Sequence, residues 1–74
     1  MNPQKTLEMQ LPLIVKTLLD KPSGYEIHVL DLIDTFHLTN VDPTALKVRL
    51  KAIKGIAIQE REAISPFNWK VERY

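Results

Sequence analysis

The hydrophobic period of this chain changes once, at Gly55, and that change limits the fold more than any other feature. Upstream, apolar residues recur every three or four positions, as they do along one face of a helix. Leu7, Leu11, Ile14 and Leu18 make one stripe, Ile27, Leu30, Ile33 and Phe36 a second, and Leu46, Leu50 and Ile53 a third. Downstream, Ile56 and Ile58 alternate with Ala57 and Gln59, and Trp69 and Val71 alternate with Asn68 and Lys70. That is the period of a strand. The expectation is an α+β chain: three helices followed by a two-stranded antiparallel hairpin.

Punctuation sets the bounds. Pro12 within the first stripe removes one backbone hydrogen bond and crowds the turn before it. Helix one is therefore expected over 11–21, with Pro12 in its first turn and residues 1–10 as an N-terminal extension. Ser23-Gly24-Tyr25-Glu26 matches a capping box, which predicts helix two over 24–37. After a short connector from Leu38 to Val41, Asp42-Pro43 places an acid at the N-cap and proline at the first helical position. This predicts helix three over 43–54, closed by Gly55 as a left-handed residue. The hairpin then occupies 56–73.

The 74 residues read as one domain, without a cysteine to form a disulfide or a Cys-ligated zinc site. Stability at this size has to come from packing, alone or with a partner subunit. The longest charge-free apolar run near the start, Leu11-Pro12-Leu13-Ile14-Val15, is too short to span a membrane, and no small-residue cleavage site follows it. A cytoplasmic protein with no membrane partner is expected.

Ten Lys and Arg against nine Asp and Glu suggest no charged partner until the count is split. Residues 22–42 carry Glu26, Asp31, Asp34 and Asp42 without a base, a sum of −4. Residues 43–54 carry Lys47, Arg49, Lys51 and Lys54 without an acid, a sum of +4. A field at the surface follows local charge, so this segregation matters more than the total.

The short connector between an apolar helix and a helix opened by Asp-Pro suits a helix-turn-helix. The run Leu18-Leu19-Asp20-Lys21-Pro22-Ser23-Gly24-Tyr25-Glu26-Ile27 resembles the lead into the second helix of PadR-type regulators. Thr44 through Ile56 is similar to the recognition helix, glycine stop and first wing strand of many winged-helix families. The third helix lacks the Tyr-Pro pair of the PadR type, so the winged helix-turn-helix superfamily is what carries over, across residues 11–74. This resemblance implies a small winged helix whose third helix meets the major groove of double-stranded DNA, with 56–73 as the wing, in a transcriptional regulator.

With Leu46 at zero on a helical wheel, Lys54, Lys47, Lys51 and Thr44 fall between roughly 80° and 160°, and Val48 near about 200°. Such a flank neutralises phosphates, and Thr44 adds a hydroxyl near the helix start. Val48 is suited to a thymine methyl, and Arg49, nearer the core edge, to the backbone. A Lys-rich helix face is often only solvated; position within a helix-turn-helix and the absence of acids on this helix set this one apart. On the wing, Arg61 and Lys70 are candidates for phosphate contact, but Glu60, Glu62 and Glu72 flank them and argue against deep minor-groove insertion. Phe67 and Trp69 read as core and wing anchors rather than as a platform for stacked bases.

A lone module makes few phosphate contacts, so a homodimer is expected, with Leu7, Met9 and Leu11 as its surface. Glu26, Asp31 and Asp34 form an acidic docking face for a basic protein partner or a second copy. The alternative reading is accordingly a winged-helix protein-interaction module or adaptor without nucleic-acid binding. His28, Asp31, Asp34 and His37 drift around the second helix and read as its polar face, not as metal ligands. There is no nucleophile-base pair and no glycine-rich phosphate loop. Neither catalysis nor a cofactor is expected.

Overall fold

An amide-capping side chain followed by proline opens two of the three helices in the computed structural model, which describes residues 2–60 and 66–74. The first, α1, spans Pro3–Leu19. The Asn2 side chain accepts from the Gln4 amide at 2.8 Å, and Pro3 at the first helical position has no amide to leave unpaired. The helix thus begins well before residue 11 and runs through Pro12. A proline inside a helix costs about 3 kcal/mol. Burial of Leu7, Leu11, Ile14 and Leu18 along one stripe contributes about 1.5–3 kcal/mol per side chain and outweighs that cost. Glu8, whose carbonyl loses its partner at Pro12, and Pro12 itself both lie at the exposed surface, where water satisfies the oxygen.

The segment expected to start the second helix is instead a strand. β1 spans Glu26–His28, and only then does α2 run, from Val29 to Phe36. The N-cap of α2 is His28, whose Nδ1 accepts from the Leu30 amide at 3.1 Å, so the capping box at Ser23 does not form. At the other end His37 takes the left-handed conformation at φ 56°, and the amides of His37 and Leu38 both return to the Ile33 carbonyl. Leu38 and Val41, buried in the connector, then hold α2 and α3 at a fixed separation.

α3 spans Pro43–Lys51 and is capped by Asp42, whose carboxylate accepts from the Thr44 amide at 3.0 Å. It ends one turn earlier than expected: the amides of Ala52 and Ile53 bond three residues back, to Arg49 and Leu50. The tightened turn passes through Gly55 at φ +94°, where a side chain would also press on the Arg73 guanidinium at 3.1 Å. Lys54 therefore stands in this turn and not on the helix.

β2 (Ile56–Glu60) and β3 (Trp69–Arg73) pair antiparallel, as the alternation requires. The sheet has three strands rather than two, in the order β1-β3-β2. β3 is central, with Val71 opposite Ile27 on one side and Ile58 on the other. Gly24 and Tyr25 extend the β1 ladder through bonds to Arg73. The turn expected over 62–66 lies, but for Pro66, outside the described residues. One face of the sheet carries Ile56, Trp69 and Val71 into a core shared with all three helices. The other carries Glu26, Gln59, Lys70 and Glu72 and is solvated, as antiparallel sheets allow. Trp69 is buried with its Nε1 donating to the Pro66 carbonyl at 2.7 Å, while Phe67 is partly exposed.

Candidate nucleic-acid interface

Leu46 and Leu50 are fully buried and fix the orientation of α3, so the side chains between them are divided over two flanks and an outer edge. Lys47 and Lys51, four residues apart, share the flank toward β2. There Glu60 reaches both: its Oε1 is 3.4 Å from Lys47 Nζ and 2.7 Å from Lys51 Nζ. Glu60 can do this because strand alternation places it on the same side of β2 as Ile56 and Ile58, facing the helices. The two ammonium groups, Lys51 first and then Lys47, hold its carboxyl below the usual carboxylate range.

The opposite flank faces α1. Arg49 makes a two-pronged pair with Glu8, Nη1 to Oε1 and Nη2 to Oε2, the latter at 3.3 Å. This hydrogen bond lowers the Glu8 pKa and raises that of Arg49. Beside the pair runs a groove of about 550 Å³, floored by Leu7, Val41 and Ala45 and bordered on its outer edge by Thr44 and Val48. Thr44 and Val48 form the outer edge of the helix, Val48 at 59% exposure.

The expected stripe is thus brought together only in part. Thr44, Lys47, Val48 and Lys51 share one side of α3; Arg49 turns to the other flank; Lys54 is exposed in the turn beyond. Lys70 lies on the outer face of the sheet, 3.5 Å from Glu26, on the side of the strands away from the helices. Arg61 lies outside the described residues.

Two other groupings change. Leu7 and Leu11 are buried in the chain's own core, because α1 starts early enough to pack its first half. They are not available as a dimer surface; of the three residues expected there, Met9 is exposed at 62%. The acidic face is split, since Glu26 belongs to β1 and is engaged by Lys70 and Gln59, while Asp31 and Asp34 are exposed on α2. His28 and His37 serve as the two caps of α2. Among the described residues no three His, Cys, Asp or Glu side chains gather as a metal site would require, and no helix is long and apolar enough to cross a membrane.

Sequence reasoning missed Glu8 and Glu60 as neighbours of α3. A signal for Glu60 was present: Ile56, Ile58 and Glu60 sit at every second position, so the acid follows the two apolar residues toward the helices. For Glu8 no comparable signal exists, because its meeting with Arg49 depends on how α1 crosses α3. No family model, curated protein or solved structure matches the chain.

Proposed function

We propose that this chain is a small winged-helix DNA-binding protein, a cytoplasmic regulator of transcription that contacts duplex phosphates and the major groove through α3. A helix-turn-helix backed by a small antiparallel sheet is what the element order supports. The carrying observation is the unequal dressing of α3: among the described residues Lys47 and Lys51 share one paired acid, Glu60, Lys54 is exposed nearby, and the helix itself has no acid. The surplus positive charge lies on the same side as the exposed Thr44 and Val48. Phosphates take up such a surplus, and release of their counterions drives binding. Base reading is modest, since Thr44 and Val48 are the only outer side chains other than lysine with a base-edge role. Binding as a homodimer adds the contacts that one module lacks.

Titration of a short mixed-sequence duplex against salt tests this. Log K is expected to fall steeply with log salt, and Lys47→Ala with Lys51→Ala to weaken binding by roughly tenfold or more at low salt, with a slope smaller by about 1 to 2. Absence of duplex binding by the wild-type chain at low salt overturns the proposal.

The second reading, a protein-interaction module, draws on the groove beside α3. Its floor is apolar and its rim is neutralised by the Glu8–Arg49 pair. Those are features of a site for side chains rather than for phosphates. Sedimentation with a protein partner that survives high salt, together with loss of that binding in Val48→Asp, would favour it over the first.

A further inference from the structure

One carboxylate oxygen between two ammonium groups is the arrangement that a phosphate oxygen takes when two lysines hold it. Glu60 Oε1 occupies such a position, 2.7 Å from Lys51 Nζ and 3.4 Å from Lys47 Nζ. Its place is set by the fold: Glu60 is the last residue of β2 and pairs with Trp69, which is buried. The backbone carrying the carboxylate is therefore anchored, while Lys51 and Glu60 themselves remain open to solvent. An anion arriving from outside meets Glu60 as a competitor for the exposed Lys51 ammonium.

We infer that Lys47 and Lys51 form an oxyanion site for a backbone phosphate of duplex DNA, and that Glu60 fills this site in the free protein and must be displaced for the phosphate to enter. The inference rests on the DNA-binding reading above and goes beyond it by naming the residue that limits affinity. The competition is between one monoanionic carboxylate tethered at high effective concentration and a polyanion that offers many phosphates. The tethered group gains from proximity. The duplex gains from release of condensed counterions, a term that shrinks as salt rises. Glu60 thereby holds weak, non-specific association down at low salt, and by cancelling part of the lysine charge it flattens the salt dependence of binding. Glu8 does not share this role: it engages a single Arg on the other flank, with both carboxylate oxygens committed to one guanidinium.

The experiment is fluorescence anisotropy with a labelled mixed-sequence duplex over a range of salt, on the wild-type chain, Glu60→Gln, and Glu60→Gln combined with Lys47→Ala and Lys51→Ala. Glu60→Gln keeps the shape and removes the charge. It is expected to bind about tenfold more tightly at low salt, and the gain to disappear in the background without the two lysines. Glu60→Asp keeps the charge but draws the oxygen back by one methylene, and is expected to fall between wild type and Glu60→Gln. Thermal melting of each variant checks that the fold is retained. If wild type binds and Glu60→Gln binds equally, the inference is overturned and the DNA-binding reading stands. A gain that persists without Lys47 and Lys51 also overturns it, because Glu60 would then act only as general repulsion. If neither wild type nor Glu60→Gln binds at low salt, the inference and the reading beneath it fall together.

Discussion

The two flanks of α3 are held by the same chemistry in different proportion. Toward α1, one guanidinium meets one carboxylate through two parallel bonds, and the charges cancel. Toward β2, two ammonium groups meet one carboxylate among the described residues, which leaves one positive charge unmatched there. The first flank is balanced; the second, on the proposal above, is where an anion would be taken up. A segment carrying four bases in twelve residues, 43–54, looks uniformly basic as a string, yet folding makes one side of its helix neutral. The comparison shows how a chain with near-zero net charge can still carry a local excess of positive charge.

Both flanks depend on the apolar spine between them, so the largest expected effect comes from breaking that spine. Leu46→Ala or Leu50→Ala removes a fully buried side chain and is expected to cost about 2–5 kcal/mol, read as a lowered midpoint in urea. Domains have only about 5–15 kcal/mol in total, so both flanks should lose definition together. A substitution without measurable effect would mean that α3 is not packed as described.

A smaller effect separates the flanks. Exchanging Glu8→Gln with Arg49→Gln removes a balanced pair, and duplex affinity is expected to stay within about twofold of wild type, with an unchanged salt slope. The Lys47 and Lys51 pair of substitutions should behave oppositely. If the Glu8/Arg49 double variant weakens binding as much as the lysine variant, the difference between the flanks carries no functional weight.

The smallest effect is on stability against acid. The Glu8 and Glu60 carboxyls are held below their ordinary range by Arg49 and by Lys51 and Lys47. A folded-state pKa below the unfolded value stabilises the fold above the ordinary carboxylate pKa, and this contribution is lost as pH falls through the lowered values. Exposed pairs contribute little. Wild type is therefore expected to lose slightly more of its urea midpoint between neutral pH and the acid range than Glu8→Gln with Glu60→Gln does. An identical pH response in the two chains would remove the pairs from the account.

Much of α3 was legible because Asp42, Pro43 and Gly55 act locally, through an amide cap, a fixed φ and a left-handed turn. β1 was not. Ile27, Leu30, Ile33 and Phe36 fit a helix, while Tyr25, Ile27 and Val29 fit a strand, and a three-residue segment cannot decide between them. The decision comes from Val71, far along the chain, which offers Ile27 a partner. Pro12 was weighed correctly as a cost, but the sequence does not state how much apolar area pays it back. In the site, the basic residues were visible and the inward side of Glu60 could be read from strand alternation, but its pairing with Lys47 and Lys51 and that of Glu8 with Arg49 depend on tertiary crossing.

The central position of β3 has a kinetic consequence. Each of the other two strands has β3 as its strand neighbour, and neither pairs with the other. Glu26 has its strand partner in Glu72, almost at the other end of the chain, so its edge of the sheet exists only with β3 in place. Contacts within each helix are local, whereas the pairing of Glu26–His28 with Trp69–Arg73 spans most of the chain, the kind of contact that slows folding. Glu60 is held in register by that same strand. The position of the acid beside Lys47 and Lys51 therefore depends on a strand from the far end of the sequence, and not on α3 or its neighbours in the chain.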